Sequence, residues 1–306
     1  MSDEDFDVST LLGAEGPIAR RLPDFEVRPQ QLAFSEAVAD ALQHGRHLIA
    51  EAGTGTGKSF AYLLPAALHA EQHQGQGPVV ISTRTIGLQE QLEHKDLPFL
   101  HAVLPFEWSS VTAIGRNNYL CLRRMHQAER EQHLFEDPER HAQLRGIVEW
   151  SLSTKDGTRQ DLESPPRPEV WEAVQAEHGN CLQRACKHFN QCHWQRARRR
   201  MQTAQVLVVN HALYFADLAL RIAGASYLPA HRAVIFDEAH HLERTATESL
   251  GLRVGRSTVG WHLSRIHKRR SDKSLLAKYV SRAGIILWEE AHQLSEAVCE
   301  RLQEGL

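Results

Sequence analysis

The sequence predicts an α/β fold built on a parallel sheet. Two continuous runs of β-branched and apolar residues, at 206–210 and 233–237, have the pattern of strands that are covered on both faces. A third strand is predicted at 78–83, and helix-like segments alternate with the strands along the chain. A glycine-rich segment at 53–57 lies between a predicted strand and a predicted helix, as in a phosphate-binding loop.

Composition and charge narrow the class of protein. The 306 residues are 42% hydrophobic, which is enough for a large core in one large or two ordinary domains. Charged residues at 24% and aromatic residues at 7% exclude wholesale disorder and fibrous repeats. No apolar run is long enough to span a membrane, and the acidic N-terminus lacks a secretory signal, so we expect a cytoplasmic protein. A net charge of −3 gives no overall attraction to nucleic acid, so any nucleic-acid binding depends on local basic patches.

The elements before the glycine-rich segment follow an acidic lead-in. Residues 1–24 are expected to be loose, and a helix is predicted at 29–42 with its C-cap at Gly45. Residues 47–51 are then predicted to form a short buried strand. Residues 59–70 are apolar on most sides, which indicates a helix buried against the sheet.

The character of the sequence changes between 103 and 204. Residues 129–145 are highly charged and helix-like, and residues 155–168 are loop-like and contain three prolines. Three cysteines follow within twelve residues. We interpret 103–204 as an insertion between strands of the sheet, and the sequence beyond Arg244 as amphipathic helix.

Residues 52–59 read AGTGTGKS and differ from the pattern G-x-x-x-x-G-K-[ST] only in having Ala52 at the first position. Small residues let backbone N–H groups close around phosphate oxygens at a helix N-terminus. Lys58 is expected to reach the β and γ phosphates, and the Ser59 hydroxyl to hold Mg²⁺. A glycine-rich turn that matches by chance is the alternative, but the flanking strand and helix argue against it. The predicted ATP-binding residues of the loop are Gly53, Thr54, Gly55, Thr56, Gly57, Lys58 and Ser59.

The tetrapeptide DEAH at 237–240 ends the apolar run of the last predicted strand. A carboxylate at the carboxyl end of a parallel strand suits Mg²⁺ coordination, and a second carboxylate can orient or deprotonate the attacking water. We assign the first role to Asp237 and the second to Glu238. An acidic pair alone also fits a helix cap, but its pairing with the phosphate loop favours an ATPase.

With these motifs in place, the sequence resembles the N-terminal part of superfamily 2 DNA helicases of the iron–sulfur group, the DinG and XPD relatives. Residues 28–31 resemble the adenine-reading Q motif, with Gln31 as the reader. Residues 82–92 resemble motif Ia, which contacts the DNA backbone, and residues 115–121 resemble the start of the cluster domain. The match runs in order from 28 to 240.

The resemblance implies a RecA-like P-loop sheet with a mostly helical iron–sulfur insertion and the start of a helical arch. Motor domain 1 is then split between 25–102 and 205–244, the cluster domain covers 103–204, and 245–306 is a partial arch. The implied function is an ATP-dependent DNA helicase, expected to move 5′→3′ on single-stranded DNA, in which His240 couples the nucleotide and DNA sites. Because the second motor domain supplies the arginine finger, we expect 1–306 alone to be inactive in hydrolysis.

Four of the five cysteines fall in the predicted insertion. Cys121 stands apart, and Cys181, Cys186 and Cys192 follow with the spacing C-x4-C-x5-C. Four thiolates can hold an iron–sulfur cluster or a zinc ion, although zinc sites more often use C-x2-C pairs. The resemblance implies a [4Fe–4S] cluster, while structural zinc and unligated thiols stay open. Cys299 is interpreted as an ordinary thiol.

Basic and aromatic residues intermingle at 184–200, a mixture suited to phosphate contact and base stacking. The alternative is that these residues only form a solvated helix face. The family resemblance favours DNA contact, because it implies that the cluster domain lies where the duplex separates. A second basic stretch at 265–278 is left open. The residues expected to contact DNA are Thr83, Arg84, Arg116, Arg196 and Arg199.

The expected cofactors are ATP, Mg²⁺ and the [4Fe–4S] cluster, and the expected partner is single-stranded or forked DNA. We expect a monomer that is associated with the nucleoid in a bacterium. Two other functions stay open: a P-loop ATPase with a structural zinc site, and a non-catalytic DNA-binding or redox-sensing module.

Overall fold

A computed structural model of the chain describes residues 6–22, 25–53, 55–131, 137–251, 290 and 293. Residues 1–249 form one compact unit and residues 250–306 a second. Within the described residues, no helix has the length and apolar character needed to cross a bilayer.

The centre of the first unit is a parallel sheet. Among the described residues it has four strands, in the order β2, β3, β1, β4. Val80 of β1 lies opposite Leu207 of β3 on one side and Val234 of β4 on the other. The strands are β1 (Val79–Thr83), β2 (Ser110–Thr112), β3 (Val206–Asn210) and β4 (Ala233–Phe236).

Helices pack on both faces of this sheet and continue through the insertion. The helices before β2 are α1 (Val8–Leu12), α2 (Pro17–Arg21), α3 (Pro29–His44), α4 (Lys58–Gln72), α5 (Ile86–Gln91), a π-helical turn (Leu92–Asp96) and α6 (Leu97–Val103). The later helices are α7 (Leu122–Glu131), α8 (Pro138–Ser151), α9 (Pro168–Val174), α10 (His193–Thr203), α11 (His211–Ile222) and α12 (Leu242–Leu250). Five 3₁₀ turns connect described elements: Arg116–Asn118, Arg159–Asp161, Gln183–Ala185, Phe189–Gln191 and Ala239–His241.

Three clusters of buried side chains hold these elements together. One joins α1 to α4 with one face of the sheet and includes Leu63 and Ile81. A second covers the opposite face with α10 and includes Trp194 and Leu207. The third, around Trp171, lies among α7, α8 and α9. The sheet therefore has a packed layer on each face, and the insertion has a core of its own.

Most of the predicted elements are confirmed. The α/β class with a parallel sheet is confirmed, and β1, β3 and β4 lie where the apolar runs predicted them. The helix that follows Pro29 ends at Gly45, whose φ of +62° is the left-handed cap conformation that glycine favours.

Three expectations were wrong. Residues 47–51 form no strand, and Ile49 is fully exposed. The three apolar residues between His47 and Glu51 suggested a buried strand, but a strand also needs a neighbouring strand, and none pairs with this segment among the described residues. The lead-in is not loose throughout, since α1 and α2 bury Leu11 and Ile18 in the core. The insertion does not begin at 103, because β2 belongs to the sheet and pairs with β3. Most of 245–306, including Cys299 and the basic stretch 265–278, lies outside the described residues.

Candidate nucleotide-binding site

The phosphate loop leads directly into α4. Gly55 and Gly57 have φ values of +82° and +76°, which glycine adopts without the clash that a Cβ would cause. The Thr56 hydroxyl donates a hydrogen bond to the Gly53 carbonyl oxygen at 2.9 Å. Because α4 begins at Lys58, the unpaired N–H groups of its first turn adjoin the loop and favour an anion there. Thr54 lies outside the described residues.

Two side chains from the start of α3 brace this loop. Gln31 is buried, and its Nε2 donates to the Gly57 carbonyl oxygen at 2.9 Å. The Arg28 guanidinium donates to the Gly55 carbonyl oxygen. A Cβ built on Gly57 would lie 2.2 Å from Gln31 Nε2. Gln31 is therefore a support of the phosphate loop, and its adenine-reading role stays a prediction.

Lys58 lies close enough to Asp237 for its charge to act on the carboxyl group. Lys58 Nζ donates to the Ala52 carbonyl oxygen at 3.1 Å, and the Tyr62 hydroxyl donates to Asp237 Oδ2 at 3.2 Å. Burial raises the pKa of Asp237 and the Glu238 charge raises it further, while the Tyr62 hydrogen bond and the Lys58 charge lower it in part. The structure thus brings the lysine of the loop and the first carboxylate of the DEAH segment together.

Glu238 and His240 follow Asp237 at the carboxyl end of β4. Glu238 has a φ of +56°, a conformation that costs a non-glycine residue about 1–3 kcal/mol. Its backbone N–H donates to Asp237 Oδ1 at 3.0 Å. His240 Nδ1 lies 3.6 Å from Glu238 Oε2 and its side chain is largely exposed. The two residues adjoin, and their roles as water-orienting carboxylate and coupling histidine stay predictions.

A buried hydrogen bond supports the strand ends beneath this site. Ser82 Oγ and His211 Nδ1 are 2.7 Å apart, and both residues are fully buried. Burial lowers the pKa of His211, and the Asp237 backbone and carboxylate raise it in part. The neighbouring Asn210 side chain caps α11 by accepting from the Leu213 N–H at 2.8 Å. Asn210 and His211 therefore act as hydrogen-bonding residues at the end of β3.

Sequence analysis missed Tyr62, although a signal was available. Tyr62 lies four residues after Lys58, and residues at this spacing share one face of a helix. A tyrosine on the face of α4 that carries the predicted phosphate-binding lysine was therefore a candidate for the same site.

The four cysteines of the insertion are half-buried, and none of them forms a disulfide. Cys121 precedes α7, and Cys192 is the N-cap residue of α10. Burial raises the pKa of the Cys192 thiol, and the thiols of Cys121 and Cys181 raise it further. Within the part of the chain that the structure describes, no group of three His, Cys, Asp or Glu side chains is arranged to hold a metal ion.

The residues expected to contact DNA differ widely in exposure. Arg84 and Arg199 are exposed. Arg196 is also exposed but donates to the Lys155 carbonyl oxygen at 2.8 Å. The Arg116 guanidinium lies 5.3 Å from the centre of the Trp194 ring.

Two residues are too buried for direct DNA contact in this structure: Thr83, which was expected to contact DNA, and Trp194, an aromatic residue of the segment 184–200. Thr83 is fully buried at the end of β1, so its side chain cannot touch a DNA backbone. Trp194 is 5% exposed and stacks on Tyr227, so it cannot stack on a base.

Comparison with known proteins agrees with this geometry. A model of the DEAD/DEAH box helicase family matches residues 29–147, and a model of the DEAD_2 family matches residues 112–259. The ATP-dependent DNA helicase YoaA of Haemophilus influenzae is 33% identical over 255 residues, which are 81% of this chain and 38% of that protein.

Two further relatives give the same result. YoaA of Escherichia coli is 35% identical over 243 residues, or 78% of this chain and 36% of that protein. The ATP-dependent helicase DinG of Mycobacterium tuberculosis is 36% identical over 256 residues, or 78% of this chain and 38% of that protein. The chain thus spans less than two fifths of the length of these relatives. With its phosphate loop and DEAH segment joined at one end of a parallel sheet, the chain carries a DEAD/DEAH box helicase domain and a DEAD_2 domain.

Proposed function

We propose that this chain is the N-terminal portion of an ATP-dependent DNA helicase that couples ATP hydrolysis to 5′→3′ movement on single-stranded DNA. The observation that carries the proposal is the convergence of Lys58, Tyr62 and Asp237 at the carboxyl end of β4. The similar proteins from Haemophilus influenzae and Escherichia coli are named as ATP-dependent DNA helicases, which supports the same activity. Repair and the resolution of replication conflicts are the cellular roles that the family resemblance suggests.

In this proposal each residue of the site has one chemical task. Lys58 binds the β and γ phosphates, and the backbone N–H groups at the start of α4 bind phosphate oxygens. Ser59 and Asp237 would hold Mg²⁺, which neutralises phosphate charge. Glu238 orients the attacking water and accepts its proton, and His240 relays the nucleotide state toward the DNA.

Nucleotide binding by the 306-residue chain tests this proposal. We expect a fluorescent ATP analogue to bind in the presence of Mg²⁺, and Lys58→Ala to weaken binding at least tenfold. Lys155→Ala, which removes a lysine from the insertion, should bind like the wild type. Equal binding by wild type and Lys58→Ala would contradict the proposal.

We further propose that Cys121, Cys181, Cys186 and Cys192 hold a [4Fe–4S] cluster. The donor set suits this group because thiolates are the usual ligands of iron–sulfur clusters. Two of the thiols, Cys121 and Cys192, lie directly before the first residue of a helix. The effect of Cys121 and Cys181 on the pKa of the Cys192 thiol also supports a common site.

Metal analysis tests the cluster. We expect iron and acid-labile sulfide in near-equal amounts and a visible absorption band after anaerobic purification. Cys186→Ser should lose both, and Cys299→Ser should keep both. Stoichiometric zinc without a chromophore would contradict the cluster and leave the nucleotide site standing.

The domain boundaries and DNA contacts are proposals of the same kind. Because β2 belongs to the sheet, we place the first motor domain at 25–115 and 205–244, the cluster domain at 116–204, and the start of an arch at 245–306. Arg84, Arg116, Arg196 and Arg199 are the proposed DNA contacts. Arg199→Ala should weaken binding to single-stranded DNA and reduce the salt dependence of its affinity by about one charge.

A further inference from the structure

A π-helical turn, Leu92–Asp96, separates α5 from α6 and ends on a buried carboxylate. Such turns are rare and frequently occur at functional sites. Asp96 is 4% exposed, and its Oδ2 accepts no hydrogen bond among the described residues. Burying a carboxylate oxygen without a hydrogen-bond donor costs free energy, so a group that donates a hydrogen bond to this oxygen stabilises the protein.

Asp96 lies beside the first turn of α4. Burial raises the pKa of Asp96 and the pKa of Tyr62. A hydrogen bond with the Ser59 side chain lowers each of these two pKa values in part. The charge of Asp96 also contributes to the raised pKa of Tyr62, after burial and the charge of Asp237. Ser59, Tyr62 and Asp96 therefore form one polar group, in which Tyr62 and Asp96 are buried and Ser59 is half-buried, and the Tyr62 hydroxyl connects this group to Asp237.

The chemistry of a cation-bound hydroxyl explains why this group is useful. A serine binds a cation through an oxygen lone pair, so its O–H must point away from the cation and needs an acceptor there. Carboxylates that accept hydrogen bonds from metal ligands fix the orientation of those ligands, and their loss costs about 10–100-fold in affinity or activity. Asp96 can act as such an acceptor, because its Oδ2 accepts no hydrogen bond among the described residues, although the Gln91 side chain also lowers the pKa of the carboxyl group.

We propose that Asp96 accepts a hydrogen bond from the Ser59 hydroxyl when Ser59 binds Mg²⁺, and so positions this hydroxyl for the magnesium–nucleotide complex. The inference rests on the proposed function, because it needs a nucleotide at the phosphate loop. Asp96 is a positioning residue, since it acts through Ser59 and does not touch the nucleotide.

The same turn offers a matched control. Glu93 lies three residues before Asp96, is exposed, and lines a cavity of about 450 Å³ together with Thr112 and Asp161. Removing its charge changes the net charge of the turn by the same amount as removing that of Asp96. Only Asp96 is close to Ser59.

The test compares nucleotide binding by the full chain with Mg²⁺ and with a chelator. For Asp96→Asn, we expect about a tenfold loss of affinity for a fluorescent ATP analogue in Mg²⁺ and no loss in the chelator. Glu93→Gln should match the wild type in both conditions. In a Ser59→Ala background, Asp96→Asn should cause no further loss.

Two results would overturn the inference. Equal losses with and without Mg²⁺ would indicate a purely structural role, and unchanged binding in Mg²⁺ would exclude any role. Thermal unfolding shows whether Asp96→Asn is folded; if it is not, Asp96→Glu, which keeps the charge but displaces the carboxylate, undergoes the same comparison. Failure of the wild type to bind, or full binding by Lys58→Ala, would instead contradict the proposed function and this inference with it.

Discussion

The hydroxyl of Tyr62 donates a hydrogen bond to the Asp237 carboxylate at 3.2 Å and so joins the helix after the phosphate loop to the DEAH segment. The two residues are 175 positions apart in the sequence. Because α4 and β4 are separate elements of the core, this bond fixes the distance between the phosphate-binding end of α4 and the first carboxylate of the site. A change at either residue should therefore affect the other.

Tyr62→Phe tests this connection. Removing the hydroxyl takes its donor from Oδ2 of the half-buried Asp237 carboxylate, while Oδ1 keeps the Glu238 N–H, and a hydrogen bond to a charged group contributes about 1.5–3 kcal/mol. We expect affinity for the Mg²⁺–nucleotide complex to fall about tenfold or more. Tyr227→Phe, which removes a partly buried hydroxyl that donates to the Ile114 carbonyl oxygen, should leave nucleotide affinity unchanged. A similar loss in both variants would indicate a general loss of packing.

Gly57→Ala should disrupt the phosphate loop. The residue has a φ of +76°, and an added Cβ would lie 2.2 Å from Gln31 Nε2, so both the backbone and the α3 contact would be strained. We expect a loss of about 1–3 kcal/mol in the free energy of unfolding and loss of nucleotide binding. Gly146→Ala, within α8 and with open space at its Cβ, should instead gain about 0.5–1 kcal/mol. Denaturant unfolding of both variants measures the two effects.

His69 should make the fold sensitive to acid. Burial, assisted by the nearby charges of His73 and Arg232, lowers the pKa of His69 to about 4. Between pH 6.5 and 4 the unfolded chain binds a proton there that the folded chain does not, so stability falls as the pH falls, by about 1 kcal/mol per pH unit. We expect His69→Gln to flatten this dependence, and His47→Gln, at an exposed position, to leave it unchanged. Unfolding measured at pH 7.5 and pH 5 distinguishes the variants.

Ser82→Ala should destabilise the sheet through His211. The substitution leaves the Nδ1 of a fully buried histidine without its 2.7 Å partner, a loss of about 1–3 kcal/mol in the free energy of unfolding. Ser153→Ala removes an exposed hydroxyl that bonds to the Trp150 carbonyl oxygen and should cost far less. Equal stability of the two variants would show that the buried bond contributes nothing net.

Local patterns predicted the elements whose signals lie within one segment. The apolar runs of β3 and β4 identify these segments as strands and show where they begin and end. The sequence of α3 does the same for a helix, because it includes the glycine cap. The three-residue strand β2 contains too few residues for a pattern, and its membership of the sheet depends on pairing with β3. Residues 47–51 show the opposite case, an apolar segment with no strand partner among the described residues.

The candidate site divides in the same way. The motifs identified Lys58 and Asp237 because each lies in a short segment with its own spacing. The part played by Asp96 depends on how a π-helical turn packs against α4, which no local pattern contains. The burial of Thr83 likewise follows from the layers on both faces of the sheet.

The Mg²⁺ dependence of nucleotide binding by Asp237→Asn and Lys58→Ala tests most directly whether the phosphate loop and the DEAH segment form one site. For the wild-type chain we expect Mg²⁺ to tighten binding of a fluorescent ATP analogue. Asp237→Asn should bind as the wild type does in a chelator but lose the tightening by Mg²⁺, whereas Lys58→Ala should be weakened in both conditions. Full tightening by Mg²⁺ in Asp237→Asn would contradict the account.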